Sequence, residues 1–290
     1  MSTRDDTRRE GVIHDIGYQH YEGARLGRWY SIRSLYVHSV RTAFGLGRGA
    51  KSKILPIGLL SLACLASLII VVASSLLQRR VLSYVGIAST FSFGATVFVA
   101  VTGPELVSRD LRDKVLSLYF CRPVSRIEYA LTKLAALTSS VFILFGTPML
   151  VMFVGMSFST DEGFQGVLIE ARDFGVGLSA AAIHAIVFSA LALPLAALTG
   201  RRVFATGMIV GLFLLSAPVS GMVRSLGSET AYQVGGILDP LSLVLGVDTW
   251  LYGEALVEVG AYGTFYGVVA LALSLAGTAL VTWRYRKVKT

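Results

Sequence analysis

ILPIGLLSLACLASLIIVVASSLL, residues 54–77, runs for twenty-four positions without a charge. At ~1.5 Å per residue a helix of that length reaches roughly 36 Å, enough to cross a ~30 Å hydrocarbon core with some tilt. Five more long runs follow, at about 81–101, 134–156, 175–199, 203–223 and 260–283. Together they predict an all-α polytopic membrane protein with six transmembrane helices.

Composition agrees with that reading. The 290 residues are 54% hydrophobic and 15% charged, whereas a soluble domain carries about a quarter charged residues. The spans leave little chain for a separate soluble domain, so the division is a polar amino-terminal segment, 1–53, and a six-span domain, 54–290. Residues 1–53 do not resemble a secretory leader, and the first apolar run is too long for a signal core; it is expected to remain as an anchor.

Orientation follows from Lys and Arg. With the amino terminus inside, segments 1–53, 102–133, 200–202 and 284–290 hold 22 of the 26 basic residues. Only Arg79, Arg80, Arg172 and Arg224 fall outside. This split predicts both termini in the cytoplasm, and it accounts for the net charge of +8 without any nucleic acid as partner. Cys64 and Cys121 are expected as free thiols, and His14, His20, His38 and His184 lack metal-ligand spacing, so no metal site is expected.

Just before the first span, Trp29, Ile32, Tyr36, Val40 and Phe44 recur at helical spacing, with Arg33 and Arg41 off that stripe. A basic helix with such a stripe is expected to lie at the cytoplasmic surface of the lipid bilayer, an amphipathic elbow. It is followed by GLGRGAKS, residues 45–52, one residue short of the phosphate-loop pattern G-x-x-x-x-G-K-[ST], with Ala50 in place of the second glycine. A phosphate loop needs a strand before it and a free helix amino terminus after it. Here an amphipathic helix precedes and a span follows, so the stretch reads as a basic, glycine-rich bend.

Between spans two and three lies TGPELVSRDLRDKVLSLYFCRPVSRIEYALTK, residues 102–133. Thr102 and Glu105 match a capping box, with Pro104 in the first turn, and predict that a new helix starts there. Val107, Leu111, Val115 and Leu118 form its apolar stripe, and the pairs Asp110–Lys114 and Arg109–Asp113 stand at i,i+4. Pro123 breaks the chain, and Ser125 with Glu128 makes a second capping box that restarts the helix into span three. On the other side of the membrane, residues 224–259 form the longest loop. Its GGILDPLSLVLGV, residues 235–247, is apolar but too short to span, which predicts re-entrant or interfacial short helices before span six.

ELVSRDLRDKVLSLYFCRPVSRIEYALTK, residues 105–133, resembles the signature of ABC-2 type permeases, the membrane subunits of ATP-binding-cassette exporters. The matching positions are Glu105, Arg109, Leu116, Leu118, Arg122, Pro123, Ser125, Arg126 and Lys133. The six spans, the elbow and the outer apolar segment extend the resemblance over most of the chain. One departure is Asp113-Lys114-Val115-Leu116-Ser117, where the family often carries a glycine-threonine-leucine-glutamate piece.

The resemblance implies a bacterial cell-membrane protein that exports a substrate, hydrophobic or amphipathic given the uncharged spans. It implies a second permease copy or a sister permease, and two copies of an ATPase subunit that binds ATP and Mg. The chain itself is then neither an enzyme nor a cofactor binder. It also implies that a coupling helix over 103–120, closed by the corner to Arg126, docks on the ATPase. The residues expected to carry that contact are Glu105, Arg109, Asp110, Leu111, Arg112, Asp113, Val115, Leu116, Tyr119, Phe120, Arg122, Pro123 and Arg126. Apolar anchors with charges around them suit a partner cleft, whereas a non-transporting scaffold or channel whose helix binds another partner is the alternative.

Within the spans, His184 is the one charged-type side chain. It reads either as a pathway residue or as a neutral imidazole hydrogen-bonded to a neighbouring helix. Gly263 and Gly267 have G-x-x-x-G spacing, a sign of close helix packing against a partner in this chain or another. Pro104, Pro148, Pro194 and Pro218 sit in or at the ends of spans, where they can kink a helix. Ser179 and His184, five apart, point in directions roughly 140° apart and cannot form a catalytic pair.

Overall fold

The computed structural model describes residues 26–112, 124–160 and 163–287. Among these it contains α1 (Arg28–Ala43), α2 (Ala50–Leu77), α3 (Tyr84–Arg112), α4 (Arg126–Ser159), α5 (Gly163–Leu198), α6 (Arg202–Arg224), α7 (Glu229–Gly235), α8 (Pro240–Tyr252) and α9 (Gly263–Arg286), and no strand. Six of them (α2, α3, α4, α5, α6 and α9) are long and apolar enough to cross a membrane, and between α6 and α9 the helical segment Glu229–Leu238, which contains α7, is bent by 115° against α8, as in a broken span or a re-entrant loop.

The central post is α5, which packs on α3, α4, α6, α8 and α9. Its buried face is built from Ala180, Ala181, Ala185, Ala190, Ala192, Ala196 and Ala197. Small side chains let neighbouring backbones come close, which is how helices gain packing where there is no water to drive them together. The approach is tightest at Gly277 of α9, where a Cβ would lie 2.0 Å from the carbonyl oxygen of Ala190. On the perimeter, α2 exposes Leu62, Leu65, Ile69 and Leu76, and α6 exposes Leu214, Leu215 and Val219, an apolar surface suited to lipid.

The second span does not end where its capping signal predicts. α3 continues through Thr102 and Pro104 to Arg112 without a break. The Thr102 hydroxyl donates back to Phe98 O at 2.7 Å and so caps no new helix. Packing overrides the local signal here: Gly103 sits against Ala192, Ala196 and Ile209, and Ser108 Oγ donates to Ala196 O at 2.9 Å. Proline is tolerated because this turn is held by tertiary contacts. The second capping box forms as expected, with Glu128 N donating to Ser125 Oγ and Ser125 N donating to Glu128 Oε2.

Two further boundaries move. α5 begins at Gly163, well before residue 175, and two of the charges that interrupt its apolar run, Glu170 and Asp173, pair with Arg80. In the last span, one 3-10 turn, Gly260–Tyr262, precedes the α-helix. In α1, Ile32, Tyr36 and Val40 are half-buried and Phe44 is buried, but Trp29 is 78% exposed, and the most buried line runs through Leu35, Ser39, Thr42 and Ala43 against α4 and α3. Of the GLGRGAKS stretch, Gly45–Gly49 make the turn between α1 and α2, with Gly45 at φ +68° and Gly47 at φ +84°, and Ala50–Ser52 open α2.

A Gly277→Val substitution should therefore push α9 off α5 and lower stability by ~1–3 kcal/mol. Gly207→Val faces open space and should change far less. Thermal unfolding of the detergent-solubilised protein, followed by tryptophan fluorescence, checks the contrast.

Candidate functional site

One end of the bundle gathers α1, the starts of α2, α4 and α6, and the ends of α3, α5 and α9. It is rich in Arg and Lys, and the carboxylates of α3 organise it. Glu105 accepts from Arg48 Nη1 at 2.9 Å and forms an ion pair with Arg202 Nη2 at 2.7 Å. A single carboxylate thus ties the α1–α2 bend and the first residue of α6 to α3. Five residues on, Asp110 accepts from Lys133 Nζ at 2.9 Å and from the hydroxyl of Tyr129, both on α4.

Lys133 is the exceptional member of this network. Its side chain is 5% exposed, and its Nζ lies 5.4 Å from the centre of the Tyr129 ring. A buried ammonium costs several kcal/mol in lost hydration, and Asp110 with the ring face supplies the compensation. Tyr129 also packs on Tyr285 of α9, with ring centres 5.2 Å apart. At the amino terminus of α4, Glu128 pairs with Arg28 of α1, while Arg126 Nη1 donates to Arg286 O at 3.1 Å. Tyr36 Oη of α1 donates to Ser139 Oγ of α4 at 2.8 Å.

The result is a bracket, with α3 up to Asp110 on one side and α4, capped by Ser125, on the other. Of the residues expected to make the coupling contact, Glu105, Asp110 and Arg126 come together at this bracket. Asp113, Val115, Leu116, Tyr119, Phe120, Arg122 and Pro123 lie outside the described residues, as do the side chains of Arg109, Leu111 and Arg112. A cavity of about 500 Å³ opens beside the bracket, lined by His38, Arg41, Arg48, Glu105, Asp110 and Lys133. The His38 imidazole is held below its usual range by burial and then by the charge of Lys133, against an opposing pull from Asp110.

Arg48, Arg202 and Tyr129 were not legible as members of this site. The one available signal was the Arg201-Arg202 pair in a very short connection on the same side as Glu105. Their pairing is set by how α6 packs on α3, which no local pattern encodes.

At the opposite end, Arg80 bridges to Glu170 and Asp173 of α5, and Tyr84 Oη donates to Glu170 Oε2 at 2.8 Å. Burial acts to lower the Arg80 pKa, but the bonds to Asp173 and Glu170 outweigh it and raise it. A cavity of about 410 Å³ lies here between α3, α5 and the end of α8, with Arg80, Tyr84, Asp173, Tyr252 and Glu254 among its lining residues. The re-entrant pair is fixed by Asp239, which caps α8 through Ser242 N at 2.9 Å and accepts from Ser216 Oγ of α6 at 2.8 Å. Tyr266 Oη of α9 donates to Gln233 O of α7 at 2.6 Å.

Gly263 and Gly267 find their partner in this same chain. Added Cβ atoms there would meet the Trp250 side chain of α8 at 2.5 and 2.8 Å, so the G-x-x-x-G pair is a socket for an indole. His184 bonds Ala180 O of its own helix through Nδ1 at 3.0 Å, not a neighbouring helix. It faces Asp248 of α8, a residue that sequence reading passed over as part of an outer apolar loop. Ser179 is engaged with Val176 O and Tyr252 Oη, away from His184.

Compared with protein-family models and with curated protein sequences, the chain matches none.

Asp110→Leu should leave Lys133 buried without its counter-ion and cost ~3–5 kcal/mol. Adding Lys133→Met should recover most of that loss. Melting temperatures of the two single variants, the double variant and the wild type complete the cycle.

Proposed function

We propose that this chain is the permease subunit of a bacterial ATP-binding-cassette exporter in the cell membrane, with both termini in the cytoplasm. The observation that carries the reading is the ion-paired bracket. The segment that resembles the ABC-2 signature, residues 105–133, is anchored on both flanks by carboxylate–cation contacts at the most basic end of the bundle. The positive-inside bias puts that end in the cytoplasm, where an ATPase would be reached.

The physical logic is one of force transmission. A partner that binds between Asp110 and Ser125 pulls on α3 and α4 together, because Asp110, Lys133 and Tyr129 join them. Both helices pack on α5, so displacement at the bracket reaches the centre of the bundle. Two ATPase copies and a second permease would complete the assembly, with ATP and Mg held by the ATPase and hydrolysis occurring there. The uncharged interior of the spans favours a hydrophobic or amphipathic cargo, released beside the re-entrant pair.

Purification of the tagged full chain from its native membranes, followed by measurement of vanadate-sensitive ATP hydrolysis, tests this. Hydrolysis should accompany the wild type. Arg109→Ala, Asp113→Ala and Leu116→Ala should each reduce it, with an anchor residue worth roughly 30-fold. Retention of full activity by all three variants, or purification without ATP hydrolysis, would sink the reading.

A further inference from the structure

Where α5 and α8 meet, two ionisable side chains are shut away from solvent. His184 Nε2 lies 3.6 Å from Asp248 Oδ2, and neither side chain has exposed surface. That distance is just beyond hydrogen bonding. Nε2 and both carboxyl oxygens of Asp248 have no hydrogen-bond partner among the described residues.

The other ring nitrogen decides how to read this. Nδ1 sits 3.0 Å from Ala180 O, and a carbonyl only accepts, so Nδ1 carries a hydrogen. A neutral His184 therefore turns a bare lone pair on Nε2 toward Asp248. If Asp248 were ionised as well, two acceptors would face each other in a dry pocket with no hydrogen between them. One proton removes the conflict.

Among the described residues, no hydrogen-bond donor supplies it. Phe145 of α4 and Phe188 of α5 stand edge-on to the imidazole at 5.3 and 5.8 Å, and Phe213 of α6 backs Phe188 at 5.3 Å. Of the charged and titratable groups on the surrounding elements, Arg224 of α6 lies over the Tyr232 ring of α7 at 5.9 Å, with Nε and Nη2 lacking a partner among the described residues, and the others are engaged elsewhere. Tyr84 of α3 bonds Glu170 of α5, and Asp239 bonds Ser216 and Ser242. Tyr252 bonds Ser179, and Tyr266 of α9 bonds Gln233 O. Glu254, just past α8, acts on Asp248 as a like charge.

We propose that His184 and Asp248 form a buried binding site for a single proton, and that this proton latches the re-entrant helix α8 to α5. The proton resides either as Asp248–OH donating to Nε2, or, after transfer, as Nε2–H donating to the carboxylate. Both forms are neutral overall. Release of the proton to solvent leaves one buried negative charge, and uptake of a second leaves an imidazolium beside a carboxylic acid. Either net charge is costly in dry surroundings, and either is relieved when α8 swings away and water enters. The latch thus holds within a pH window and loosens on both sides of it, whether or not the chain partners an ATPase.

Hydrogen exchange of the 240–252 amides tests this on the full chain in lipid nanodiscs, from about pH 4 to about pH 10, corrected for the intrinsic pH dependence of exchange. The wild type should show minimal opening in the middle of that range, rising by about tenfold per pH unit on each limb. Asp248→Asn should keep only the acid limb, from His184 alone, and His184→Gln only the alkaline limb, from Asp248 alone. The double variant, uncharged throughout, should be flat. A flat wild-type profile, limbs assigned the other way round, or a double variant that keeps both limbs would each overturn the latch.

Discussion

A hydrocarbon core offers no partner to a peptide N–H or carbonyl, so a segment that crosses it must close its own backbone bonds as helix. Six helices here meet that demand, and the rest of the architecture follows from it. Among the described residues, irregular backbone is confined to the bundle ends and to the bent α7–α8 pair, where Asp239, Ser216, Ser220 and Tyr266 satisfy the broken helix. The same demand explains hydroxyls that bond back into their own helices, such as those of Ser92, Thr96 and Thr102.

Charge obeys a parallel rule. Carboxylates at the two bundle ends recruit arginines and lysines from distant parts of the chain. Glu105 recruits two arginines about a hundred and fifty residues apart in sequence, Arg48 and Arg202. Such pairs are specific because a misplaced partner would leave an uncompensated charge near the membrane boundary. They fix the register of the helix ends more than they add to net stability.

Much of this was legible from residue patterns. The six apolar helices, the bend at Gly45 and Gly47, the Ser125–Glu128 cap and the helix break at Asp239-Pro240 all carry local signals, because each depends on neighbours in sequence. The Thr102–Glu105 cap misled for the opposite reason. Its local chemistry was sound, but Gly103 and Ser108 pack on α5 and keep the helix going. Asp248 was passed over because a short apolar stretch does not reveal which wall it will face. The bracket partners Arg48, Arg202 and Tyr129 were hidden likewise, since tertiary packing alone brings them to α3.

The indole socket has a consequence for how α8 can move. Trp250 is clamped by Gly263 and Gly267 of α9, while Asp248, about 200° around the same helix, faces α5. One flank of α8 is therefore seated on the last helix by shape, and the other meets the central post at Asp248 and through the Tyr252–Ser179 hydrogen bond. A fixed edge and a releasable edge make a hinged panel. Motion of α8 about its α9 edge would open the seam on the α5 side, placing any lateral aperture next to His184.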